Sequence, residues 1–369
     1  MANREYTQLR VGVLGAAGTI APAILADLAI SQEVASVLAL DLDGDRVAAA
    51  AAAHGGAKTT ARAADARNGL GDALEGLDVL INTASYRVNL DAMEACLAAG
   101  CDYIDLGGLY HVTLRQLELG QRFERAGRLA LLGMGSSPGK TNVMAARAKA
   151  ELGEVESIDV IAGGRDFDPP GAFSPPYAVQ TLLDEVTLAP VVLRAGQPVE
   201  IEPLSAGGEV DFGDPIGRAE TIYTLHSELV SFGESFGCGE CSFRLSLAPA
   251  TEERLRELAQ ATPEEIAQAQ ANAAPPSDQT VSVHVIEAHG DGRSVRVRSL
   301  TSPHRPFGIG GSIVSTAAPA VAAVRLLAHG RIDAIGAVFP ERCIEPQELF
   351  DELSARSCEI TVEVEETVS

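Results

Sequence analysis

Leu9-Arg-Val-Gly-Val-Leu14 runs directly into Gly15-Ala-Ala-Gly18-Thr-Ile-Ala21-Pro22, and an apolar-periodic stretch then continues to Ile30. A short apolar run, a glycine turn and a helical period in that order read as strand, turn and helix. Pro22 fits the first helical turn, whose leading N–H groups have no intrahelical partner to lose. The same rhythm repeats outward. Val37 to Leu40 ends on Asp41 before the helical Arg46 to His54; Leu77 to Ile81 precedes the helical Asn89 to Ala99; and Asp102 to Leu106 precedes the helical Thr113 to Ala126 and the strand Leu129 to Leu132. Strands alternating with helices of this length predict a doubly wound parallel sheet of Rossmann type.

From Val155 the texture changes. Val191 to Ile201 folds about Ala195-Gly196, and Val281 to Ile286 is joined to Ser294 to Arg298 through His289-Gly-Asp-Gly292, both reading as antiparallel hairpins. Ala250 to Ala274 reads as one acidic helical excursion, Ile313 to His329 as an apolar helix, and Glu359 to Val364 as a closing strand with a path back to the first domain. The expectation is an α/β chain with two domains. Residues 1–137, with 312–369 as candidates to complete them, form the Rossmann domain; residues 138–311 form an α+β substrate domain with a largely antiparallel sheet.

The 369 residues exceed what one hydrophobic core usually serves, since domains run to roughly 100–200 residues. Apolar residues make up 46% and aromatics 4%, with no Trp, so Ala, Val, Leu and Ile must build the interior. A net charge of −23 disfavours nucleic acid and mildly favours a cationic ligand. MANREYTQLR carries mixed charge without an apolar stretch, and no run of 18 apolar residues occurs, so the expected location is the cytoplasm with no membrane association. Six scattered cysteines read as reduced thiols. Cys238 and Cys241 have CxxC spacing but lack a second pair for a structural zinc, so no metal is expected.

A glycine turn between first strand and first helix lets backbone N–H groups and the helix N-terminus approach a pyrophosphate. Gly15 and Gly18 serve that need, Ala17 and Ile20 stand where further glycines are common, and Thr19 completes the turn. Asp41, at the end of the second strand, is placed to accept from ribose hydroxyls, which favours NAD; Arg46 nearby leaves NADP open. Asn82-Thr83-Ala84-Ser85-Tyr86 occupies the carboxyl edge of the sheet, so Thr83, Ala84 and Ser85 are expected beside the cofactor and Tyr86 beside the substrate.

The stretch Asp78 to Asn142, with Asn89-Leu-Asp-Ala-Met93, Asp102-Tyr103-Ile-Asp105-Leu-Gly107-Gly108 and Gly133-Met-Gly135-Ser-Ser-Pro138-Gly139-Lys-Thr141-Asn142, resembles the saccharopine dehydrogenase-like oxidoreductases. Ser174-Pro-Pro-Tyr177, Leu183-Asp184-Glu185, Tyr223-Thr-Leu-His226-Ser-Glu228 and Phe339-Pro-Glu341 extend the likeness, which is nearest the lysine 6-dehydrogenase branch. The resemblance implies a homodimer and hydride transfer between NAD(P) and a nitrogen-bearing carbon of an amino-acid-like amine. The carboxynorspermidine synthase branch implies reductive condensation of amine and aldehyde as an alternative, and a non-catalytic dinucleotide sensor is a third.

Such chemistry needs a positioned proton carrier. Asp105 either meets a substrate ammonium or holds the adjoining turn. His111, beside Tyr110, has a pKa suited to proton exchange or is a backbone-satisfied loop residue. Lys140 is a candidate base, carboxylate clamp or phosphate contact. Thr141 and Asn142 read as a helix cap and then as substrate contacts. His226 and Glu228, two apart, would face one side of an extended segment, with His226 catalytic and Glu228 at the substrate. Glu240, Arg165, Asp166 and Asp168 are weaker candidates, and His284 reads as a core or surface residue of its strand.

Overall fold

The computed structural model describes residues 8–171 and 173–366, so the first seven residues of the opening segment lie outside it. The chain divides into two compact units: residues 1–143 with 316–353, and residues 144–315 with 354–369. The C-terminal return is therefore split. Only its first part joins the Rossmann unit, while the closing strand Cys358–Glu366 pairs with Arg293–Thr301 in the other unit.

The first unit holds seven parallel strands in the order Gly336–Val338, Leu129–Leu131, Asp102–Asp105, Val79–Asn82, Leu9–Leu14, Val34–Asp41 and Thr59–Ala63. Chain order reverses at Leu9–Leu14, which makes the exit from that strand the switch point where such sheets bind ligands. Val11, Val13, Leu80, Ile81, Ile104 and Leu131 are buried in it, as both faces of a parallel sheet require. Two strands were not anticipated. Thr59–Ala63 is an edge strand whose residues are mostly exposed and mostly polar, and Gly336–Val338 is three residues long.

The second unit is built on a nine-stranded sheet that is antiparallel except where Glu240–Leu245 runs parallel to Ser157–Asp166. Val191–Arg194 and Gln197–Glu200 form the expected hairpin over Ala195 and Gly196, and Thr280–Gly290 pairs with Arg293–Thr301 as the second. The expected single helix from Ala250 to Ala274 is two, Pro249–Leu258 and Pro263–Asn272. A capping box between Thr262 and Glu265, with Pro263 opening the new helix, enforces the break. Likewise Thr113 to Ala126 lies in two helices, Tyr110–Glu118 and Gly120–Arg125.

Gly311–Ala328 is long and apolar enough to cross a membrane, yet 78% of it is buried within the protein. Its Arg325 is buried against Asp27 at 3.0 Å and donates to Glu352 at 2.6 Å, so this helix packs as a core element.

Candidate active site

In the first unit the chain turns at Gly15, with φ +79°, between the strand Leu9–Leu14 and the helix Ala21–Ile30. A Cβ on Gly15 would lie 2.6 Å from the backbone N of Ala84 and 2.9 Å from the carbonyl carbon of Thr83, so only glycine permits this approach. Thr83 Oγ1 donates to the carbonyls of Leu14 at 2.8 Å and Gly15 at 3.1 Å, locking the two strand exits together. Asp41 accepts from Ala17 N at 2.9 Å, while Arg46 donates to Ala17 O at 3.0 Å. The Ala17 peptide is thereby clamped from both sides.

No side chain caps the helix Ala21–Ile30, and the N–H groups of Thr19 and Ile20 make no hydrogen bond among the described residues. Gly15, Ala17, Gly18, Thr19, Ile20, Asp41, Thr83 and Ala84 are thus gathered at one switch point. Its cradle, open donors and acidic strand end fit a dinucleotide. Leu42, 73% exposed beside Asp41, is an apolar surface on the same loop that sequence reasoning did not single out. Ser85 lies one residue on and accepts from Arg87 N at 3.4 Å, opening the short turn Tyr86–Val88 in which Arg87 lies over the Tyr86 ring.

Asp105 is buried, and its carboxylate is surrounded by donors. Gly133 N at 2.7 Å and Gly107 N at 2.9 Å reach one oxygen; Gln116 Nε2 at 2.6 Å and Asn89 Nδ2 at 3.3 Å reach the other. Burial raises its pKa, and the bonds from Gln116, Gly133, Tyr103 and Gly107 hold that rise in check. Asn89 also accepts from Asn82 at 2.9 Å, and Asn82 donates to Tyr103 Oη at 3.1 Å. Of the two roles read for Asp105, this network supplies the turn-holding one. Asn82, Asn89 and Gln116 were not foreseen in it, because three amides from separate elements leave no local pattern.

Tyr110 and His111 open the helix Tyr110–Glu118 with their rings edge to face at 5.4 Å, and His111 is exposed. Lys140 opens the helix Lys140–Leu152 and is fully buried. Asn142 Oδ1 accepts from Gly139 N at 2.8 Å and its Nδ2 donates to Glu341 at 2.8 Å, so the Pro-Gly-Lys-Thr-Asn turn is fastened to the Phe339-Pro-Glu341 stretch. Thr141 Oγ1 donates to Ser137 Oγ at 3.4 Å.

The second unit contains a separate cluster of buried titratable groups. His226 Nδ1 donates to Glu228 Oε2 at 2.5 Å, and the imidazole stacks on Phe243 with centroids 3.7 Å apart and planes within 10°. Nε2 makes no hydrogen bond among the described residues, and His226 is 7% exposed. Burial alone would lower the His226 pKa, but the carboxylates of Glu228 and Glu185 raise it above the ordinary histidine value. Tyr177 donates its hydroxyl to Glu185 Oε2. Burial pushes Glu185 up to about 7, against the pull of His226 and the Tyr177 hydroxyl and with added repulsion from Glu228 and Asp184. Burial and Glu185 together hold the Tyr177 hydroxyl well above its usual pKa.

In the sequence Tyr177 and Glu185 carry only the family likeness; nothing in their spacing points to His226, about forty positions on. Glu240 instead accepts from Ala195 N at 2.8 Å and Arg194 at 2.9 Å, holding a hairpin turn, and Asp166 accepts from Ser277 N at 2.9 Å. His284 is buried in its strand. Cys238 and Cys241 are buried free thiols.

Residues 11–131 match the family model of the saccharopine dehydrogenase NADP-binding domain. Carboxyaminopropylagmatine dehydrogenase of Synechocystis sp. is 31% identical over 166 residues, 42% of this chain and 40% of that protein, so the match spans less than half of the relative's length. The apo structure of histidine-tagged saccharopine dehydrogenase (L-Glu forming) from Saccharomyces cerevisiae superposes with a TM-score of 0.73 at 14% identity, covering 96% of this chain and 99% of that one. At that identity the likeness is one of fold. Residues 11–131 thus match a saccharopine dehydrogenase NADP-binding domain, the dinucleotide cradle at the switch point lies within that stretch, and the fold is that of saccharopine dehydrogenase.

Proposed function

We propose that the protein is an amine dehydrogenase or imine reductase, moving hydride between NAD(P) and the nitrogen-bearing carbon of an amino-acid-like amine, with lysine and related amines as the substrate class. The observation that carries this is His226: a buried imidazole oriented through Nδ1 by Glu228, with Nε2 uncommitted. That is the arrangement of a general acid–base residue backed by a carboxylate.

A bound nicotinamide accepts or donates hydride at C4. In the oxidative direction Nε2 of neutral His226 accepts the proton of the substrate nitrogen, and Glu228 stabilises the imidazolium that forms. Phe243 fixes the ring plane. Because Glu228 and Glu185 raise the His226 pKa, oxidation is expected to speed up as pH rises through that value, and imine reduction to speed up as it falls. Asp105 is assigned a positioning task, holding the glycine loops after two strands. Lys140, buried at a helix start, is assigned to the substrate or cofactor side of the first unit.

For the cofactor, Asp41 supports NAD, since a carboxylate at the end of the second strand would repel a 2′-phosphate. Arg46, over the same turn, is the group that would meet that phosphate in NADP. Reductive condensation of an amine with an aldehyde is the second reading, supported by a relative whose name couples an aminopropyl group to agmatine.

The test is reduced-nicotinamide absorbance with NAD and with NADP over a panel of diamines and basic amino acids, and then NAD(P)H consumption with amine plus aldehyde. Reduction of cofactor by an amine supports dehydrogenation; consumption with both carbon substrates supports condensation. His226→Asn should lower turnover by roughly 10²- to 10⁴-fold without changing cofactor affinity. Silence in both assays, or equal turnover by His226→Asn, overturns the proposal and leaves a dinucleotide sensor.

A further inference from the structure

The hydride step leaves the Tyr177–Glu185 pair unused, although it belongs to the same cluster as His226. Leu225 N donates to the backbone carbonyl of Glu185 at 2.9 Å, holding the helix Val179–Thr187 against the extended segment that carries His226. Tyr177 occupies Oε2 of Glu185; Oε1 accepts no hydrogen bond among the described residues, and Glu185 is 6% exposed. The titratable groups acting on this carboxyl are Tyr177, Asp184 on its own helix, and His226 and Glu228 from the facing segment. His226 is the one basic group among them, and it is committed to Glu228 at 2.5 Å. The imidazole is thus hydrogen-bonded to Glu228 and not to Glu185, whose Oε1 is left open.

We propose that Glu185, oriented by Tyr177, is the binding residue that seats the ammonium group of the substrate beside His226. The inference rests on His226 as the proton carrier, but it is read out without turnover. An ammonium group brings a positive charge to Glu185 and offers N–H donors to Oε1. Seating it favours the ionised carboxylate, so a protonated Glu185 must release its proton as the cation arrives. With the carboxyl pushed up to about 7, this exchange falls near neutral pH.

The experiment is calorimetric titration of the full chain with 1,5-diaminopentane and with 1,5-pentanediol, an uncharged isostere, in buffers of different ionisation enthalpy between about pH 6 and about pH 8. Wild type should bind the diamine at least about tenfold more tightly than the diol at the upper pH. That affinity should fall towards tenfold per pH unit below about 7, with close to half a proton released per diamine near neutrality. Glu185→Gln should lose most of the preference for the diamine and release fewer protons on binding it than wild type does. Tyr177→Phe keeps the carboxylate but loses the donor that favours its charged form, so the pH dependence should move to higher pH.

Wild type failing to bind millimolar diamine, or not preferring it to the diol, overturns the proposal. So does Glu185→Gln keeping the preference, or, should that variant not fold, Tyr177→Phe showing an unshifted pH dependence. Discrimination lost in Glu185→Gln while no amine reduces NAD or NADP would uphold the ammonium site and sink the hydride-transfer reading instead.

Discussion

Glu185→Gln should make the second unit more stable at alkaline pH, contrary to the usual effect of removing a buried polar group's charge partner. Burial raises the carboxyl from 4.5 to about 7 in the folded protein. A folded state that holds its proton more tightly than the unfolded state loses stability as pH rises. The loss begins near 4.5, grows through the interval and is complete above about 7, where both states are ionised. A shift of that size corresponds to about 3 kcal/mol. Glutamine keeps an oxygen for the Tyr177 hydroxyl and carries no charge to desolvate. The attraction to His226 is already included in that net shift. The assay is urea unfolding of both proteins at about pH 4.5 and about pH 8; the chain has no Trp, so far-ultraviolet circular dichroism and tyrosine fluorescence report the transition. The difference between the proteins should open in favour of the variant as pH rises. A difference that does not change with pH, or one that favours wild type at pH 8, would refute the account of Glu185 as a carboxyl held in a hostile environment.

Asp41→Ala should weaken NAD binding by about 1–3 kcal/mol by removing an acceptor for ribose hydroxyls and for Ala17 N; unchanged binding in the folded variant, measured by isothermal titration calorimetry, would remove that role. Asp105→Asn places an amide NH₂ among four donors and should lower thermal stability by roughly 1–3 kcal/mol; a change within about 0.5 kcal/mol would show the network to be dispensable. Lys140→Met should lower turnover more than cofactor affinity, and equal turnover in both proteins would take Lys140 out of the mechanism.

The parts of the fold that could be read from the chain are those whose burial writes itself locally. Leu9–Leu14, apart from the exposed Arg10, and Val79–Asn82 are covered on both faces and so appear as short, mostly apolar runs. Thr59–Ala63 sits at the sheet edge with four of five residues exposed, so no apolar pattern marks it. Gly336–Val338 is too short to register. The alanine-rich run after Pro249 hid the break at Thr262, where composition stays helical and only the cap chemistry changes. The site divides the same way. Gly15, Gly18 and Asp41 are tied together by the strand–turn–helix frame, which spacing reveals. Tyr177, Glu185 and His226 meet through a backbone bond between distant segments, and Asp105 gathers donors from three more. Such meetings exist only in the folded state.

The return of residues 316–353 to the first sheet, followed by departure of the closing strand to the second, has a consequence for how such a chain is made and inherited. The ribosome has released the whole second-unit segment up to Ser315 before Gly336–Val338 emerges to complete the seven-stranded sheet, and it is still adding the last strand of the other sheet after that. The first unit is not finished until residues 316–353 have been made, and the second waits for the strand Cys358–Glu366. A single recombination point cannot transplant either of them intact, and a chain cut after residue 143 would form a first sheet lacking the edge strand Gly336–Val338.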